Sequence, residues 1–212
     1  MPMADTDAIA DAAPPENRRP PRVFVGLRIA PEIARALAQL ARELERFSVR
    51  LVAPADIHLT LVPPWHENSV SGAIAKLRLV AGRFGAFPLT FQRVGYGPQP
   101  RRPRLLWAEC AAGDEIVAFH AALLHAYGQI DERPFRPHVT LARIRGNGSA
   151  IARKHPIDRQ LSLTQRVESI ELFQSPPPGE SGYRVVASLR LGETAHSPSE
   201  AERSAEIPSL SR

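Results

Sequence analysis

From Arg22 the chain places Val23, Val25, Leu27 and Ile29 at every second position of "RVFVGLRI", the period of a strand. Pro31 then stands where a first helical residue would. Ile33, Leu37, Leu40 and Leu44 recur at helical spacing to about Phe47. "IHLTLV" (57–62) predicts the next strand, which Pro63 and Pro64 are expected to stop. Asn68 or Ser69 can cap a second helix carrying Ile74, Leu77, Ala81 and Phe84, and "FPLTFQRV" (87–94) predicts a return strand.

The pattern then begins again. "RLLWAEC" (104–110) is strand-like, Gly113-Asp114 opens a helix bearing Ile116, Phe119, Leu123 and Tyr127, and "PHVTLARI" (137–144) predicts a strand. A loop or short helix is expected near 149–158. Two long alternating runs follow, 161–173 and 183–191, joined by "SPPPGESG" (175–182) as a hairpin loop. Both halves read strand, helix, histidine-bearing strand, with offsets of 80 to 83 residues. Such a duplication predicts pseudo-twofold packing of two lobes, with equivalent strands facing one another.

Two nearly identical tetrapeptides sit at equivalent places, "HLTL" (58–61) and "HVTL" (138–141). Alternation puts His58 and Thr60 on one face of a strand with Leu59 and Leu61 behind them; His138 and Thr140 share a face in the same way. If the polar faces meet across a groove, one imidazole can act as base while its partner is protonated, since the ordinary histidine pKa is near 6.5. Two hydroxyls beside them can hydrogen-bond developing oxyanions. In-line phosphoryl transfer needs those parts and no metal. A single His-x-Thr is commonplace in strands; the pairing of two is the signal. No third histidine or carboxylate stands in register with them, so no metal site is expected.

The remaining candidates are weaker. Trp65 and Phe135 flank the two motifs and can stack a nucleobase or pack at the rim. Arg143, three residues after Thr140, can reach a phosphate, although strict alternation turns it away from His138. His120 falls on the apolar stripe of its helix and reads as a core histidine. His125 and His66 read as solvated, and His155 lies in the loop after Arg143. "RRPR" (101–104) is an exposed basic loop able to touch an RNA backbone.

Charge and composition narrow the class. The 212 residues suffice for one bilobal unit over 21–191, flanked by Ala/Asp/Pro-rich ends, 1–20 and 192–212, that read as disordered tails. Each tail is net −2, so the overall +5 leaves +9 on residues 21–191, nearly all from arginine, which suits an anionic partner. Cys110 is the single cysteine, in an apolar run, and reads as a core residue. No apolar run reaches the ~18 residues of a membrane span, and a cytoplasmic protein with no membrane contact is expected. The two lysines, Lys76 and Lys154, lack the Lys-x-Asp-Gly context of an ATP-dependent ligase, and no Gly-rich phosphate loop is present.

The two motifs, with "RVFVGLRIAPEIARAL", "FPLTFQRVGYGPQPRRPRLLWAEC", "RPFRPHVTLAR" and "IELFQSPPPGESGYRVVASLRL", resemble the two-histidine phosphoesterase superfamily over residues 22–191. Within it they are similar to the bacterial RNA 2′,3′-cyclic phosphodiesterase family, also called 2′-5′ RNA ligases. The resemblance implies a bilobal α+β fold with antiparallel sheets lining a central cleft. It implies hydrolysis of RNA 2′,3′-cyclic phosphate ends to 2′-phosphates, tRNA fragments among the substrates, by a monomer without cofactor. By the same resemblance His58 is the proton donor to the 3′-oxygen and His138 the acceptor that activates water, with Thr60 and Thr140 on the phosphate oxygens. A weak ATP-independent reverse 2′-5′ ligation is compatible with that site. Relatives follow the first motif with Phe-Leu-Gly where this chain has "VPPWHE" (62–67). The alternatives are the same chemistry on a small cyclic nucleotide or cyclic ADP-ribose phosphate, or a non-catalytic RNA-binding module.

Overall fold

The structure, a computed structural model, describes residues 19–177 and 180–192. The tails expected at 1–20 and 192–212 lie outside that range, except for Arg19, Pro20 and Gly192. Among the described residues nine strands form one sheet: β1 (Arg22–Arg28), β2 (Val49–Leu51), β3 (His58–His66), β4 (Phe87–Gly97), β5 (Leu105–Cys110), β6 (His138–Ile144), β7 (Asp158–Val167), β8 (Ser169–Gln174) and β9 (Arg184–Arg190). Four helices accompany them there: α1 (Pro31–Ala41), α2 (Val70–Ala81), α3 (Asp114–Ala126) and α4 (Gly148–Lys154). The fold is α+β, and every strand pairing is antiparallel.

The strand order is β7-β4-β5-β6-β3-β1-β8-β9, with β2 beside β6. It has a centre of pseudo-symmetry between β6 and β3, and it explains the duplication. Each half-chain contributes a first strand (β1 or β5) and a histidine strand (β3 or β6). The next counterpart pair, β4 and β8, is exchanged: β4 pairs with β5 of the other half, and β8 with β1. The two lobes are thus clasped by each other's strands, a feature that offsets in the sequence do not reveal.

Local chemistry accounts for the elements. Pro31 takes the first position of α1, which presents Ile33, Ala34, Leu37 and Ala41 to the core before a 3-10 turn, Arg42–Leu44, completes the apolar stripe with Leu44. Ser69 caps α2, its Oγ accepting from the Gly72 N–H at 3.1 Å. The Tyr127 hydroxyl, just past α3, donates to the Ala73 carbonyl at 2.8 Å and pins α3 to α2. Leu27, Leu37, Leu59, Leu77, Leu106, Phe119 and Leu123, all fully buried, join helices to sheet in one core.

Two expectations are corrected. Pro63 and Pro64 do not stop β3, which runs on to His66. They sit in a bulge, between Val62 opposite Val25 and Trp65 opposite Val23, where no ladder N–H is required of them. The run 161–173 is not one strand. It breaks at Glu168 into β7, which pairs with β4 in one lobe, and β8, which pairs with β1 in the other. β7 alternates between exposed and half-buried positions, whereas Ile170, Glu171, Leu172 and Phe173 of β8 are all buried.

Candidate active site

The two histidine strands meet at a single bridge, Leu59 opposite Val139. That antiparallel register sets His58 across from Thr140 and Thr60 across from His138. The imidazoles occupy one diagonal of a four-residue square and the hydroxyls the other. In a regular antiparallel ladder opposed Cβ atoms on one face lie about 4.5–5.5 Å apart and diagonal neighbours about 7–8 Å. Leu59, Leu61, Val139 and Leu141, behind the square, are buried to 1 % exposure or less and fix both strands from below.

The two imidazoles are restrained in the same way. His58 Nδ1 donates to the Asp56 carbonyl at 2.7 Å, and His138 Nδ1 donates to the Arg136 carbonyl at 2.7 Å. Each contact, two residues back along the chain, protonates Nδ1 and leaves Nε2 to the groove. The His58 ring lies among Phe24, Tyr183 and Phe173, with centroids at 4.8, 4.8 and 5.6 Å. The His138 ring lies 4.4 Å from Trp107. Burial against these rings lowers the pKa of both histidines below the usual value, partly opposed by the hydrogen bonds to the Asp56 and Arg136 carbonyls. The Arg143 charge lowers both, so that guanidinium stands within electrostatic reach of both imidazoles.

Strict alternation would have turned Arg143 away. A bulge brings it back: Leu106 pairs with Ala142 but Trp107 pairs with Thr140, so Leu141 is an extra residue in β6. Leu141 and Ala142 are both buried, and Arg143 emerges on the face of His138 and Thr140. A cavity of about 300 Å³ holds His58, Thr140, Arg143, Arg50 and Tyr183. A second, of about 490 Å³, lies on the other side of the square and holds Thr60, His138, Trp107, Phe135 and His120.

Residues 53–175 match the family model of the 2'-5' RNA ligase superfamily. The chain belongs to that superfamily. Among curated relatives, the RNA 2',3'-cyclic phosphodiesterase of Bacillus subtilis (strain 168) is 28% identical over 130 residues, covering 58% of this chain and 71% of the relative. That of Archaeoglobus fulgidus is 25% identical over 135 residues, covering 62% and 77%. The fold is shared with TT0787 of Thermus thermophilus, at TM-score 0.68 and 22% identity, over 81% of this chain and 98% of that one. It is shared also with E. coli LigT complexed with 3'-AMP, at TM-score 0.65 and 24% identity, over 82% and 99%.

In this superfamily member the structure brings His58, Thr60, His138, Thr140, Arg143 and Phe135 to one groove. Phe135 lines the larger cavity, stacked on His120 at 3.8 Å and 9°. Trp65 is not among them: its indole packs 4.9 Å from Tyr127 and donates to Glu67 at 2.8 Å, at the far end of β3. His120 is corrected in the other direction. Its ring is half-exposed at the cavity because Phe135, not the helix stripe, sets its position. His66 and His125 are exposed, and His155 is bound to Glu43, its Nε2 3.1 Å from Oε2. Sequence reasoning missed Phe24, Trp107, Phe173 and Tyr183. Phe24 and Trp107 lie in strands that it did find, on the face that alternation assigns to the groove. Among the described residues, no group of three or more His, Cys, Asp and Glu side chains is placed to hold a metal ion, and no helix is long and apolar enough to cross a membrane.

Proposed function

We infer that the protein opens the 2′,3′-cyclic phosphate at the 3′ end of an RNA to a 2′-phosphate, without metal, by paired-imidazole acid–base catalysis. The observation that carries the reading is the diagonal pair of imidazoles, each locked through Nδ1 to a carbonyl two residues back and each free at Nε2. With phosphorus between the rings, His138 Nε2 takes a proton from water as its oxygen bonds to phosphorus. The P–O3′ bond breaks, and His58 Nε2–H delivers its proton to the departing 3′-oxygen. Thr60, Thr140 and Arg143 hydrogen-bond the equatorial oxygens as charge gathers there. The polarity rests on the residue-by-residue resemblance of both motifs alone, since a pseudo-twofold pair does not itself distinguish donor from acceptor. Replacing water by a 5′-hydroxyl in the same step gives a 2′-5′ bond without ATP.

The test is a short RNA ending in a 2′,3′-cyclic phosphate, incubated with the protein in excess EDTA, with the product identified as 2′- or 3′-phosphate. A 2′-phosphate formed at an undiminished rate is the expected result. Loss of turnover in chelator overturns the metal-free step, and a 3′-phosphate overturns the polarity. Pro63, exposed at the larger cavity beside Thr60, favours a second reading in which the natural cyclic phosphate is small. Turnover of a cyclic mononucleotide with none of the RNA selects it.

A further inference from the structure

The reacting square is symmetric, but the charge around it is not. Directly across the β1–β3 register from His58 stands Arg28, and the corresponding place across from His138 is Glu109. On the His138 side the arginines are neutralised: Arg136 Nη2 lies 2.9 Å from Glu109 Oε1, and Arg133 Nε 3.0 Å from Asp131 Oδ1. On the His58 side the Arg28 and Arg35 side chains form no ion pair and no hydrogen bond among the described residues; Arg28 is engaged through its backbone alone. Both line a cavity of about 310 Å³ that opens onto the His58 ring, walled by Phe173 and Tyr183. Asp56 is its one carboxylate among the described residues, and Asp56 Oδ1 accepts from the Tyr183 backbone N–H at 3.0 Å. Two unpaired guanidinium groups against one such carboxylate leave the cavity net positive, and arginine's fork of donors matches phosphate.

The geometry points to this cavity as a second phosphate subsite, which takes the phosphodiester on the 5′ side of the terminal nucleoside. This rests on the activity proposed above. The two phosphates of one nucleotide are a single ribose apart, and Arg28 is one cross-strand step from His58, about 5 Å between Cβ atoms. A terminal ribose whose 3′-oxygen faces His58 therefore presents its 5′-phosphate to Arg28 and Arg35. The preferred substrate class is then an RNA end or a 5′-phosphorylated nucleotide, and not a bare nucleoside 2′,3′-cyclic phosphate.

The subsite is tested by kcat/KM for a nucleoside 2′,3′-cyclic phosphate with and without a 5′-phosphate, in the natural protein and in R28A/R35A. The 5′-phosphate is expected to raise kcat/KM about tenfold through KM, equivalent to ~1.4 kcal/mol. In R28A/R35A that advantage falls to about onefold while the bare substrate is opened as before, and R28K/R35K restores part of it. Calorimetric binding of a nucleoside 2′-phosphate against a nucleoside 2′,5′-bisphosphate gives the same comparison without turnover. If neither cyclic substrate is opened, the proposed activity fails, and the binding preference still decides the subsite. No 5′-phosphate preference in the natural protein overturns the proposal. So does a preference that survives in R28A/R35A, or one that is lost in R50A instead, which places the phosphate in the neighbouring cavity.

Discussion

Gly26 lies in β1 opposite Thr60, where the bulge of β3 crowds the two strands. A Cβ at this position would stand 2.5 Å from the Leu59 carbonyl oxygen and 3.4 Å from its carbon. Carbon–oxygen contacts between strands ordinarily settle near 3.3–3.6 Å, so Gly26→Ala requires about 0.8 Å of movement. The obstructing atom is backbone and cannot rotate away. Leu59 lies between His58 and Thr60 and is also the single bridge to β6, so the movement is imposed on the square itself. Overpacking of this kind costs about 1–3 kcal/mol. For a chain of this length each kcal/mol lowers Tm by roughly 2–4 °C, giving a fall of about 2–12 °C. Misplacement of catalytic groups on the ångström scale costs about 10²-fold in rate. Gly85→Ala is the control, because a Cβ there meets nothing within 4 Å. Melting by circular dichroism and kcat/KM on a cyclic-phosphate RNA should show both losses for G26A and neither for G85A. Equal behaviour of the two variants refutes the steric argument. A large loss of Tm with full activity refutes the link from Gly26 to the His-x-Thr square.

H58A and H138A should each lower kcat by about 10²–10⁴-fold, the usual worth of one acid or base, with Tm changed by under about 4 °C; unfolding of either variant would make that histidine structural. Burial lowers the pKa of His58 and His138, so the pH profile of kcat/KM should be bell-shaped with its centre below 6.5, and an optimum above pH 7 counts against the pair. Because those folded-state values lie below the unfolded value of about 6.5, the unfolded chain binds the protons more tightly. The stability they confer is present above pH ~6.5 and is lost as pH falls from there toward the folded values. Tm measured from pH 8 to 5 should therefore decline less steeply in H58A/H138A than in the natural chain. Ser69→Ala removes the cap of α2, away from the groove, and should cost about 1 kcal/mol with kcat/KM unchanged, as read by melting and by turnover.

What the sequence made legible was local. The period-2 runs at 22–29, 57–62 and 137–144 became β1, β3 and β6, and the helical stripes from Pro31, Ser69 and Gly113 became α1, α2 and α3. The pairing of the two His-x-Thr faces followed from the duplicated offset. What stayed hidden depends on partners distant in the chain. An alternating run such as 161–173 does not say that its first part pairs with β4 and its last with β1. Strict alternation sends Arg143 to the wrong face because one extra residue at Leu141 is visible only in the register with β5. His120 sits on an apolar helical stripe and yet reaches the groove, since its neighbour Phe135 arrives from a loop. Tyr183, between the hairpin loop and β9, packs edge-on against His58 from 125 residues away, and nothing near either residue announces it.

The register gives the pseudo-symmetry a chemical meaning. Val25, Gly26 and Arg28 meet Val62, Thr60 and His58; Leu106, Trp107 and Glu109 meet Ala142, Thr140 and His138. The same bulge, at Leu61 and at Leu141, closes both motifs, so backbone irregularity and His-x-Thr residues are duplicated together. The proposed in-line reaction needs a proton acceptor on one side of phosphorus and a donor on the other, which two placements of one imidazole can supply. The substrate of that proposed reaction is not symmetric, since a nucleoside oxygen leaves on one side and water enters on the other. Beside the square the halves differ at Arg28 against Glu109, Gly26 against Trp107, and Pro63 against Arg143. Two of these exchanges place Arg28 and Arg143, and with them positive charge, in the cavities that His58 lines. A duplicated strand pair thus brings two imidazoles and two hydroxyls together, and divergence of its flanking residues, without change to those four, gives the square the two unlike sides that the proposed orientation of an RNA end requires.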